Sequence, residues 1–317
     1  MNWRPSAARP AIERRARVLG EVRAFFAARG VLEVETPILS AGAVSDPQLE
    51  SLATTIAGQQ RPFYLHTSPE YAMKRLLAAG SGDIFQICKV FRDGEFGRWH
   101  NPEFTLLEWY RLGFDDGALM DEIEALLAAL SPSPPAPAER LSYREAMTRH
   151  AGVDAFAASD ADLERAAIAA GIDCDAHLDR DARLDLLMGV LVGPRLGRGR
   201  PCFVCDYPAS QAALARLKGG SPPVAARFEL YLEGIELANG FHELADGAEQ
   251  RARFQNDQAV RRARRLPERP LDERFLAALQ AGLPACAGVA LGLDRLLAVQ
   301  LQAGGLSDVL AFPLDRA

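Results

Sequence analysis

The sequence FRDGEFGRWHNPEFTLLEWY, which runs from Phe91 to Tyr110, decides how this chain is interpreted. An apolar run ends at Val90 and Phe91, turn-forming residues follow, and alternation of apolar and polar residues resumes from Phe104. This pattern predicts a β-hairpin. Arg92 stands at its mouth, and a planar guanidinium group binds phosphate or carboxylate with two parallel hydrogen bonds. The stretch is therefore either an active-site hairpin or a surface hairpin with solvated charges, and its own residues leave both interpretations open.

Composition limits the class of protein. The chain has 317 residues, of which 49% are hydrophobic and 25% charged, as in ordinary globular proteins. No apolar run approaches the roughly 18 residues that a membrane span needs, and no signal-peptide core follows the arginine-rich start, so we expect a cytoplasmic protein with no membrane segment. The net charge of -6 argues against a chain that mainly coats nucleic acid.

The five cysteines, including the pair Cys202 and Cys205, are expected to pack in the core.

A pair of carboxylates forms a second candidate site. Glu236 and Glu243 are seven positions apart, so one regular strand would point them to opposite faces. The dipeptide Asn239-Gly240 indicates a turn or bulge, and one phase shift there would bring both side chains to the same side. Two converging carboxylates predict a magnesium site that also uses nucleotide phosphates, although two solvated glutamates are the simpler interpretation of these residues alone.

The third candidate element lies between Gly288 and Val299. Its small residues predict a strand that leads into a helix, with Asp294 near the helix start. Glycine allows a ligand to lie against the backbone, and Arg295 could bind a terminal phosphate. This pattern is weak when taken alone.

Local patterns predict the remaining elements. Apolar spacing and stop signals indicate helices at 11–29, 70–79, 160–170 and 181–192, the second of them capped by Ser68 with Pro69 at its first position. Strands are expected at 31–37, 63–67, 84–91, 203–207, 227–237 and 287–293. An arginine-rich stretch is interpreted as a solvated helix face rather than a partner site; it comprises Arg251, Arg253, Arg261, Arg262, Arg264 and Arg265.

Taken together, the three elements resemble motifs 1, 2 and 3 of class II aminoacyl-tRNA synthetases, in the right order and over nearly the whole chain. The matching segments are Val34–Pro37, Phe91–Tyr110 and Gly288–Leu296. The lysyl branch is the most similar, through the sequences TSPE at 67–70, HNPEFT at 100–105 and ELANGF at 236–241. The resemblance implies an α+β fold, with a mostly antiparallel sheet flanked by helices.

Motif 1 is reached by Pro37, which leaves no room for the N-terminal anticodon-binding barrel of lysyl-tRNA synthetases. The chain therefore resembles the free-standing paralogues of lysyl-tRNA synthetase that modify translation elongation factor P. We expect a single catalytic domain over 1–317 with a mainly helical insertion at about 141–200, and a homodimer formed through the region Ala11–Pro37. Ala290 stands where lysyl synthetases usually have glycine, and its methyl group could favour a β-amino acid or simply reflect packing.

The resemblance implies an ATP site and a magnesium site. Arg92 would hold the α-phosphate and the substrate carboxylate, and Arg295 would meet the γ-phosphate, so these two arginines would be the catalytic residues. The remaining residues that the resemblance assigns to ATP are Asp93, Gly94, His100, Asn101, Glu236, Leu237 and Gly292. Both Glu236 and Glu243 could reach ATP through Mg²⁺.

The resemblance also implies a pocket for an amino acid with two ammonium groups, each of which needs a partner when buried. Its residues would be Ser68, Pro69, Glu70, Glu108, Tyr110 and Glu243. The chain departs from the family at Gly94, where a glutamate usually contacts adenine, and either Glu95 or the backbone would replace that contact.

The implied reaction has two steps. ATP and (R)-β-lysine, or less well α-lysine, would form an aminoacyl-adenylate, and the acyl group would pass to a lysine ε-amine of elongation factor P. Two alternatives stay open: a truncated synthetase that charges tRNA or another small acceptor, and a non-catalytic regulatory paralogue. The acidic chain makes tRNA the less expected partner.

Overall fold

The computed structural model describes residues 3–131, 133, 135–174 and 178–317. Contacts between Cα atoms divide the chain into two compact units, of which the first comprises Met1–Phe114 and Leu244–Ala317 and the second Asp115–Glu243. The single domain with an insertion at about 141–200 stays a prediction.

The described residues form nine α-helices and twelve β-strands. The α-helices are α1 Arg9–Ala27, α2 Glu70–Ala78, α3 Asp116–Leu130, α4 Tyr143–Ala151, α5 Asp160–Ala169, α6 Arg180–Leu187, α7 Gly247–Ala263, α8 Glu273–Gly282 and α9 Leu293–Gln300. The strands are β1 Leu32–Glu33, β2 Leu39–Ser40, β3 Ala53–Thr54, β4 Phe63–Leu65, β5 Ile84–Phe91, β6 Glu103–Leu112, β7 Glu139–Ser142, β8 Cys202–Pro208, β9 Leu217–Lys218, β10 Val224–Leu232, β11 Ile235–His242 and β12 Cys286–Gly292.

In the first unit the strands run in the order β1-β5-β6-β12, and a small second sheet has the order β2-β4-β3. Strand β1 is parallel to β5, whereas β5, β6 and β12 are antiparallel. The predicted hairpin is therefore confirmed, with β5 and β6 as its arms. The strand expected at 31–37 is wrong in length, since the strand covers only Leu32–Glu33, the Val34 N–H makes one further bond to Phe85, and Pro37 has no N–H group to prolong the ladder.

Helix α1 covers one face of this sheet. Its residues Val18, Val22 and Phe26 are buried at intervals of four, which places them along one helical stripe. The Phe26 ring stacks on Phe85 with centroids 4.6 Å apart and lies 5.3 Å from the Trp109 ring. These contacts fix one face of the hairpin against α1. The side chains on the opposite face are therefore available to line a binding site.

Helix α2 begins at Glu70 as predicted, but its capping differs from the prediction. Pro69 is the N-cap residue rather than the first helical residue, and its φ of -75° and ψ of 0° are already helical. The Ser68 hydroxyl still accepts a 3.0 Å hydrogen bond from the Glu70 N–H group. Ser68 thus satisfies one of the N–H groups that the helix leaves without a partner, but from one position further out.

In the second unit the strand order is β11-β10-β8-β7, with β9 beside β10. Helices α4, α5 and α6 follow one another within the predicted insertion, and a π-helix at Met188–Val192 continues α6. These helices bury one core with β8 and β10, whose members include Tyr143, Leu163, Leu187 and Tyr231. Residues 175–177 of the predicted insertion lie outside the described residues.

Strands β10 and β11 form a hairpin where the sequence suggested one long strand over 227–237. The chain reverses at Glu233 and Gly234, both of which have positive φ angles, 53° and 75°. Asn239 and Gly240, predicted to be a turn or bulge, are instead paired residues inside β11. A Cβ at Gly240 would overlap the ring of its cross-strand partner Phe228, so Gly240 makes room for an aromatic side chain.

The arginine-rich stretch belongs to α7 and its C-terminal end, and its interpretation as a solvated face is wrong for Arg261. Arg261 has an exposure of 0%. Its guanidinium group donates to three main-chain carbonyl oxygens and to the carboxylate of Glu50. Arg262 next to it is exposed and pairs with Glu268, as a solvated face predicts.

The fold class is confirmed: helices flank a mostly antiparallel sheet, with parallel pairing at β1–β5 and at β7–β8. Cys202 and Cys205 lie on strand β8, and all five cysteines are free thiols. Cys202 and Cys286 are buried as predicted, whereas core packing is wrong for Cys88, Cys174 and Cys205, which are only partly buried. Among the described residues, no helix combines the length and the apolar character that a membrane span requires.

Candidate active site

Glu108 is the centre of a buried polar cluster on strand β6. Its exposure is 2%. The Ser68 hydroxyl donates to one carboxylate oxygen at 2.6 Å, and the Tyr110 hydroxyl donates to the other at 2.6 Å. Three of the predicted pocket residues are therefore in direct contact, although they come from two separate parts of the chain.

Glu70 lies beside this cluster in the first turn of α2. Its carboxylate pairs with the ammonium group of Lys74 at 2.6 Å, and Lys74 has an exposure of 1%. A buried cation without a counter-charge is costly, so this pair holds Glu70 in a fixed orientation. The sequence interpretation missed Lys74, although the spacing of four residues from Glu70 on a predicted helix was a signal that could have found it.

The two carboxylates affect each other. Burial, and after it the charge of Glu70, raise the pKa of Glu108 to about 7, against the lowering effect of the hydrogen bonds from Ser68 and Tyr110 and of the charge of Lys74. A carboxyl group with a pKa near neutrality can ionise when a cation arrives. Glu108 is thus suited to receive an ammonium group.

Small residues of β12 lie across from this cluster. In the antiparallel register Ala290 pairs with Glu108, Gly288 with Tyr110, and Gly292 with Leu106. Directly paired residues project to the same face of a sheet. The polar cluster therefore lies beside residues of β12 that have almost no side chains. Ala290, the position at which lysyl synthetases usually have glycine, places its methyl group beside Glu108.

Arg92 follows the end of β5, where it contacts groups on three sides. Its Nε donates to the Thr67 carbonyl oxygen at 3.4 Å, and its guanidinium group lies 3.5 Å from the Glu95 carboxylate and 5.0 Å from the centre of the Phe104 ring. These are long, weak contacts. The guanidinium group therefore retains most of its capacity to bind an anion.

The hairpin turn departs from the family pattern for a structural reason. Gly94 has a φ of 76°, which is a strained conformation for any residue with a side chain. The Asp93 carboxylate accepts a hydrogen bond from the Gly94 N–H at 2.9 Å and closes the turn. Glu95, the expected substitute for the missing glutamate, points its carboxylate at Arg92.

Arg295 and His100 meet beside the hairpin. An Nη of Arg295 is 2.9 Å from Nε2 of His100, and its Nε donates to the Trp99 carbonyl oxygen at 3.2 Å. Burial lowers the pKa of His100, and the charge of Arg295 lowers it further. His100 is therefore a neutral acceptor near pH 7, which allows it to orient the arginine.

Asn101 is more tightly engaged than the sequence suggested. Its Nδ2 donates to the Glu103 carbonyl oxygen at 2.6 Å, and its Oδ1 accepts from the Leu314 N–H at 3.0 Å. The side chain thus attaches the C-terminal segment to the hairpin. One amide hydrogen remains for another acceptor.

Asp294, in the first turn of α9, connects three elements of the first unit. Its carboxylate accepts hydrogen bonds from the Arg15 guanidinium group of α1 and, at 2.7 Å, from the Thr105 N–H of β6. Its exposure is 1%. This pairing positions the start of α9, and with it Arg295. Arg15 was not singled out from the sequence, because nothing local marks its partner 279 residues away.

In the second unit, the phase shift predicted for the two glutamates occurs at a different position. Tyr231 pairs with Glu236 and Leu230 with Ala238, so Leu237 is the extra residue of a bulge in β11. Glu236 consequently shares a face with Asn239 and Phe241. Glu243 follows β11, bridges to Ala215 and has an exposure of 5%.

The same face of β10 and β11 carries a buried polar network. Arg227 donates to Glu229 at 2.6 Å and to the Asn239 side-chain oxygen at 3.3 Å, and the Tyr231 hydroxyl donates to Glu229 at 2.6 Å. Arg227 also lies 4.4 Å from the centre of the Tyr207 ring. Of these residues, only Asn239 was singled out from the sequence. The roles of the others depend on cross-strand pairing, which the sequence does not show.

Within the described parts of the chain, no group of three or more His, Cys, Asp or Glu side chains could hold a metal ion. Two carboxylates are enough for an ion that takes its remaining ligands from nucleotide phosphates and water. The donor set of Glu236 and Glu243 therefore fits magnesium held together with a nucleotide.

Comparison with known proteins identifies the class. The chain belongs to the family described as class II tRNA synthetases (D, K and N), which matches residues 1–316. Relatives in Salmonella arizonae, Salmonella paratyphi B and Salmonella schwarzengrund are named elongation factor P–(R)-β-lysine ligase. Each is 49% identical over 321 aligned residues, which cover 99% of this chain and 98% of the relative. The resemblance inferred from the three motifs is thereby confirmed, as is the predicted class of enzyme, a ligase with a synthetase-like fold.

Proposed function

We propose that this chain is an ATP-dependent ligase that attaches (R)-β-lysine, or lysine, to a lysine side chain of translation elongation factor P. The observation that carries the proposal is the 49% identity, over 99% of the chain, to ligases of that name. The buried acidic cluster around Glu108 supports it, because a diamino acid needs carboxylates for its ammonium groups.

The first step would form an adenylate. A carboxylate oxygen of the amino acid attacks the α-phosphorus of ATP, and pyrophosphate leaves. Arg92 would neutralise the charge that develops on the α-phosphate, and Arg295 would bind the γ-phosphate of the departing group. Such a step needs position and charge rather than covalent catalysis by the protein.

The other predicted ATP residues would bind and position the nucleotide. His100 would keep Arg295 oriented, Asn101 would offer its remaining amide hydrogen, and Asp93 with Gly94 would present the backbone of the turn. Gly292, across from Leu106, would let the nucleotide lie against β12. In the second unit, Glu236, Leu237 and Glu243 would have the ATP-binding roles that the family implies.

Magnesium is part of the proposal. Glu236 and Glu243 would hold it, and when bound the ion would offset the negative charge of the triphosphate. These glutamates would keep the nucleotide in one orientation.

The amino acid would be recognised by its ammonium groups. Glu108, supported by Ser68 and Tyr110, would receive one of them, and Glu70, preceded by Pro69, would line the same pocket. Glu243 would contact the amino-acid side chain. A pocket with this many buried carboxylates should reject neutral analogues strongly.

In the second step, the ε-amine of a lysine on elongation factor P attacks the adenylate carbonyl, an amide bond forms and AMP leaves. We expect this reaction in the cytoplasm, where the translation factor acts. Mass spectrometry of elongation factor P after incubation with the enzyme, ATP and each lysine isomer tests it. A gain of one lysyl residue on a single lysine is expected, and no gain with any isomer would refute the proposal. The Arg92→Ala variant is the matched control.

The family itself supports one alternative, since its members include tRNA synthetases. A charging assay with tRNA and radiolabelled lysine separates the two functions, and efficient formation of lysyl-tRNA would favour the alternative. A regulatory paralogue without activity would show no amino-acid-dependent pyrophosphate exchange with any diamino acid.

A homodimer through the region Ala11–Pro37 is also part of the proposal. Apolar side chains in this region are exposed, with Leu32 at 57% and Ile12 at 39%. A subunit interface through this region would remove both side chains from water. Light scattering on the purified chain should give twice the mass of one chain, and the Leu32→Asp variant should lower it.

A further inference from the structure

One residue beside Glu108 has no role in the reaction as described so far. Gln86 lies on β5 and is the direct cross-strand partner of Glu108, while Ala290 of β12 pairs with Glu108 from the other side. Directly paired residues project to the same face. The three side chains therefore form a row across the sheet, with the carboxylate in the middle.

Gln86 is buried, with an exposure of 3%, and its side-chain oxygen Oε1 has no hydrogen-bond partner among the residues that the structure describes. The Gln86 side chain also forms a hydrogen bond with the side chain of Cys88, two residues further along the same strand. A buried acceptor without a donor is unfavourable, so such groups need an explanation. Here the acceptor adjoins the carboxyl group to which a substrate ammonium is assigned.

We infer that Gln86 determines substrate specificity: its Oε1 accepts a hydrogen bond from the ammonium group whose charge Glu108 balances. This inference rests on the proposed function. An ammonium group has three donors and no acceptor. One carboxylate oxygen cannot satisfy all three, and a neutral amide oxygen supplies a second acceptor without another negative charge.

The charges around the row favour a neutral acceptor. Glu70 and Glu108 bring two carboxylates to this region, and Lys74 brings one internal cation. Tyr110 and Ser68 already donate to Glu108. A carboxylate at position 86 would increase the electrostatic repulsion with Glu70 and Glu108. A neutral amide instead supplies a directed hydrogen-bond acceptor without adding charge. Gln86 would thus distinguish an ammonium group from a methyl group by geometry.

The test compares Gln86→Met with the wild-type enzyme. Methionine keeps the length of the side chain and removes the acceptor. Pyrophosphate exchange gives KM for lysine and (R)-β-lysine, and competition gives the inhibition constants of two analogues, each without one amine: 2-aminohexanoic acid and 6-aminohexanoic acid. We expect KM for the diamino acids to rise about tenfold or more, as for a hydrogen bond to a charged group, with KM for ATP unchanged.

The analogues identify the contact. The analogue that lacks the amine bound by Gln86 should bind wild type and variant within about twofold, since it never made the hydrogen bond, while the other analogue should lose affinity like lysine. Thermal unfolding without substrate provides a second readout. Because Oε1 has no donor among the described residues of the free enzyme, Gln86→Met should not lower the melting temperature.

Two results would overturn the inference. An unchanged KM for both diamino acids would show that Gln86 does not contact substrate. A lower melting temperature with an equal loss for all four ligands would make Gln86 a support for Glu108 instead. If the wild-type enzyme shows no exchange with any diamino acid, the proposed function fails, and this outcome is separate from either result for the variant.

Discussion

The hydroxyl group of Ser68 donates a 2.6 Å hydrogen bond to the carboxyl group of Glu108 and accepts a 3.0 Å hydrogen bond from the Glu70 N–H group. One side chain thus joins the start of α2 to the middle of β6. The two acidic residues of the pocket are consequently held at a fixed separation. Their mutual repulsion is a built-in property of the site, which makes substrate binding sensitive to pH.

The first prediction concerns that pH dependence. Burial and the charge of Glu70 raise the pKa of Glu108 to about 7, so the free enzyme has a partly protonated carboxyl group at neutral pH. An ammonium group binds the ionised form. KM for the amino acid should therefore fall as the pH rises from 6 towards 8, by about tenfold per pH unit below the pKa. The Glu108→Gln variant should bind weakly with a flat profile over this range.

The free energy of unfolding provides a control for the same carboxyl group. Its dependence on pH should run in the opposite direction to that of substrate binding. The folded state holds a proton that an unfolded chain has already lost between about pH 4.5 and about pH 7. The contribution of Glu108 to the free energy of unfolding should therefore fall as the pH rises through this window. Urea unfolding at several pH values should show this slope in wild type and a smaller one in Glu108→Gln. Equal slopes would contradict the assignment.

The second prediction concerns Lys74. Its ammonium group is buried and pairs with Glu70 at 2.6 Å, and its charge lowers the pKa of Glu108. Lys74→Met should destabilise the fold by about 3–5 kcal/mol, because one carboxylate loses its counter-charge. The pH at which KM for the amino acid improves should also move upward. Lys74→Arg is the matched control, since it retains the charge, and an unshifted pH profile in Lys74→Met would exclude this electrostatic role.

The third prediction separates catalysis from stability at Arg92. Its contacts are long, at 3.4 Å to a carbonyl oxygen and 3.5 Å to Glu95, so little stability depends on them. Arg92→Ala should reduce pyrophosphate exchange by a factor of about 10²–10³ while the melting temperature stays constant. Arg92→Lys should recover only part of the activity, because it keeps the charge and loses the planar fork. Full activity in Arg92→Ala would remove Arg92 from the reaction.

Much of the first unit was predictable because the signals are local. The hairpin between β5 and β6 follows from alternation and turn residues within Phe91–Tyr110, and the strand-to-helix transition near Asp294 follows from small residues before an apolar helix. The partners of Asp294 were not predictable. Arg15 and Thr105 become its neighbours only when three distant segments pack together.

The hairpin of β10 and β11 shows a different limit. Alternation continues through the turn, and Glu233 is an unusual residue at a positive φ, so the sequence suggested one strand. Asn239-Gly240 is a strong turn signal that the sheet overrides, because Gly240 is needed beside Phe228. The packing requirement at Gly240 therefore outweighs the local turn propensity. Only the cross-strand partner, Phe228, reveals that requirement.

A fourth prediction follows from that packing. Gly240→Ala would drive a methyl carbon into the Phe228 ring and should cost about 1–3 kcal/mol of stability. Gly20, inside helix α1, has open space within 4 Å of the point where a Cβ would stand and a φ outside the positive range, so Gly20→Ala should stabilise by up to about 1 kcal/mol. Chemical denaturation of both variants measures the contrast. Equal effects of the same sign would contradict the packing argument.

The last prediction concerns the link between α7 and the hairpin. Arg261 donates to the carbonyl oxygens of Asp46 and Leu49 and to the Glu50 carboxylate, and the Glu50 carbonyl oxygen accepts a 2.9 Å hydrogen bond from the Asp93 N–H. The residue before Asp93 is Arg92. The buried guanidinium group therefore holds the segment against which the turn of the hairpin rests.

Arg261→Met should lower the free energy of unfolding by about 1–3 kcal/mol, because it leaves three main-chain carbonyl oxygens without this donor, while the half-buried Glu50 carboxylate keeps its pair with Arg269. Arg262→Met on the same helix removes only an exposed pair with Glu268 and should cost about 0–1 kcal/mol. Glu50→Gln, a milder change, should retain the fold and reduce kcat for pyrophosphate exchange more than it changes KM for the amino acid. If Arg261→Met and Arg262→Met unfold at the same urea concentration, the buried network does not stabilise this segment.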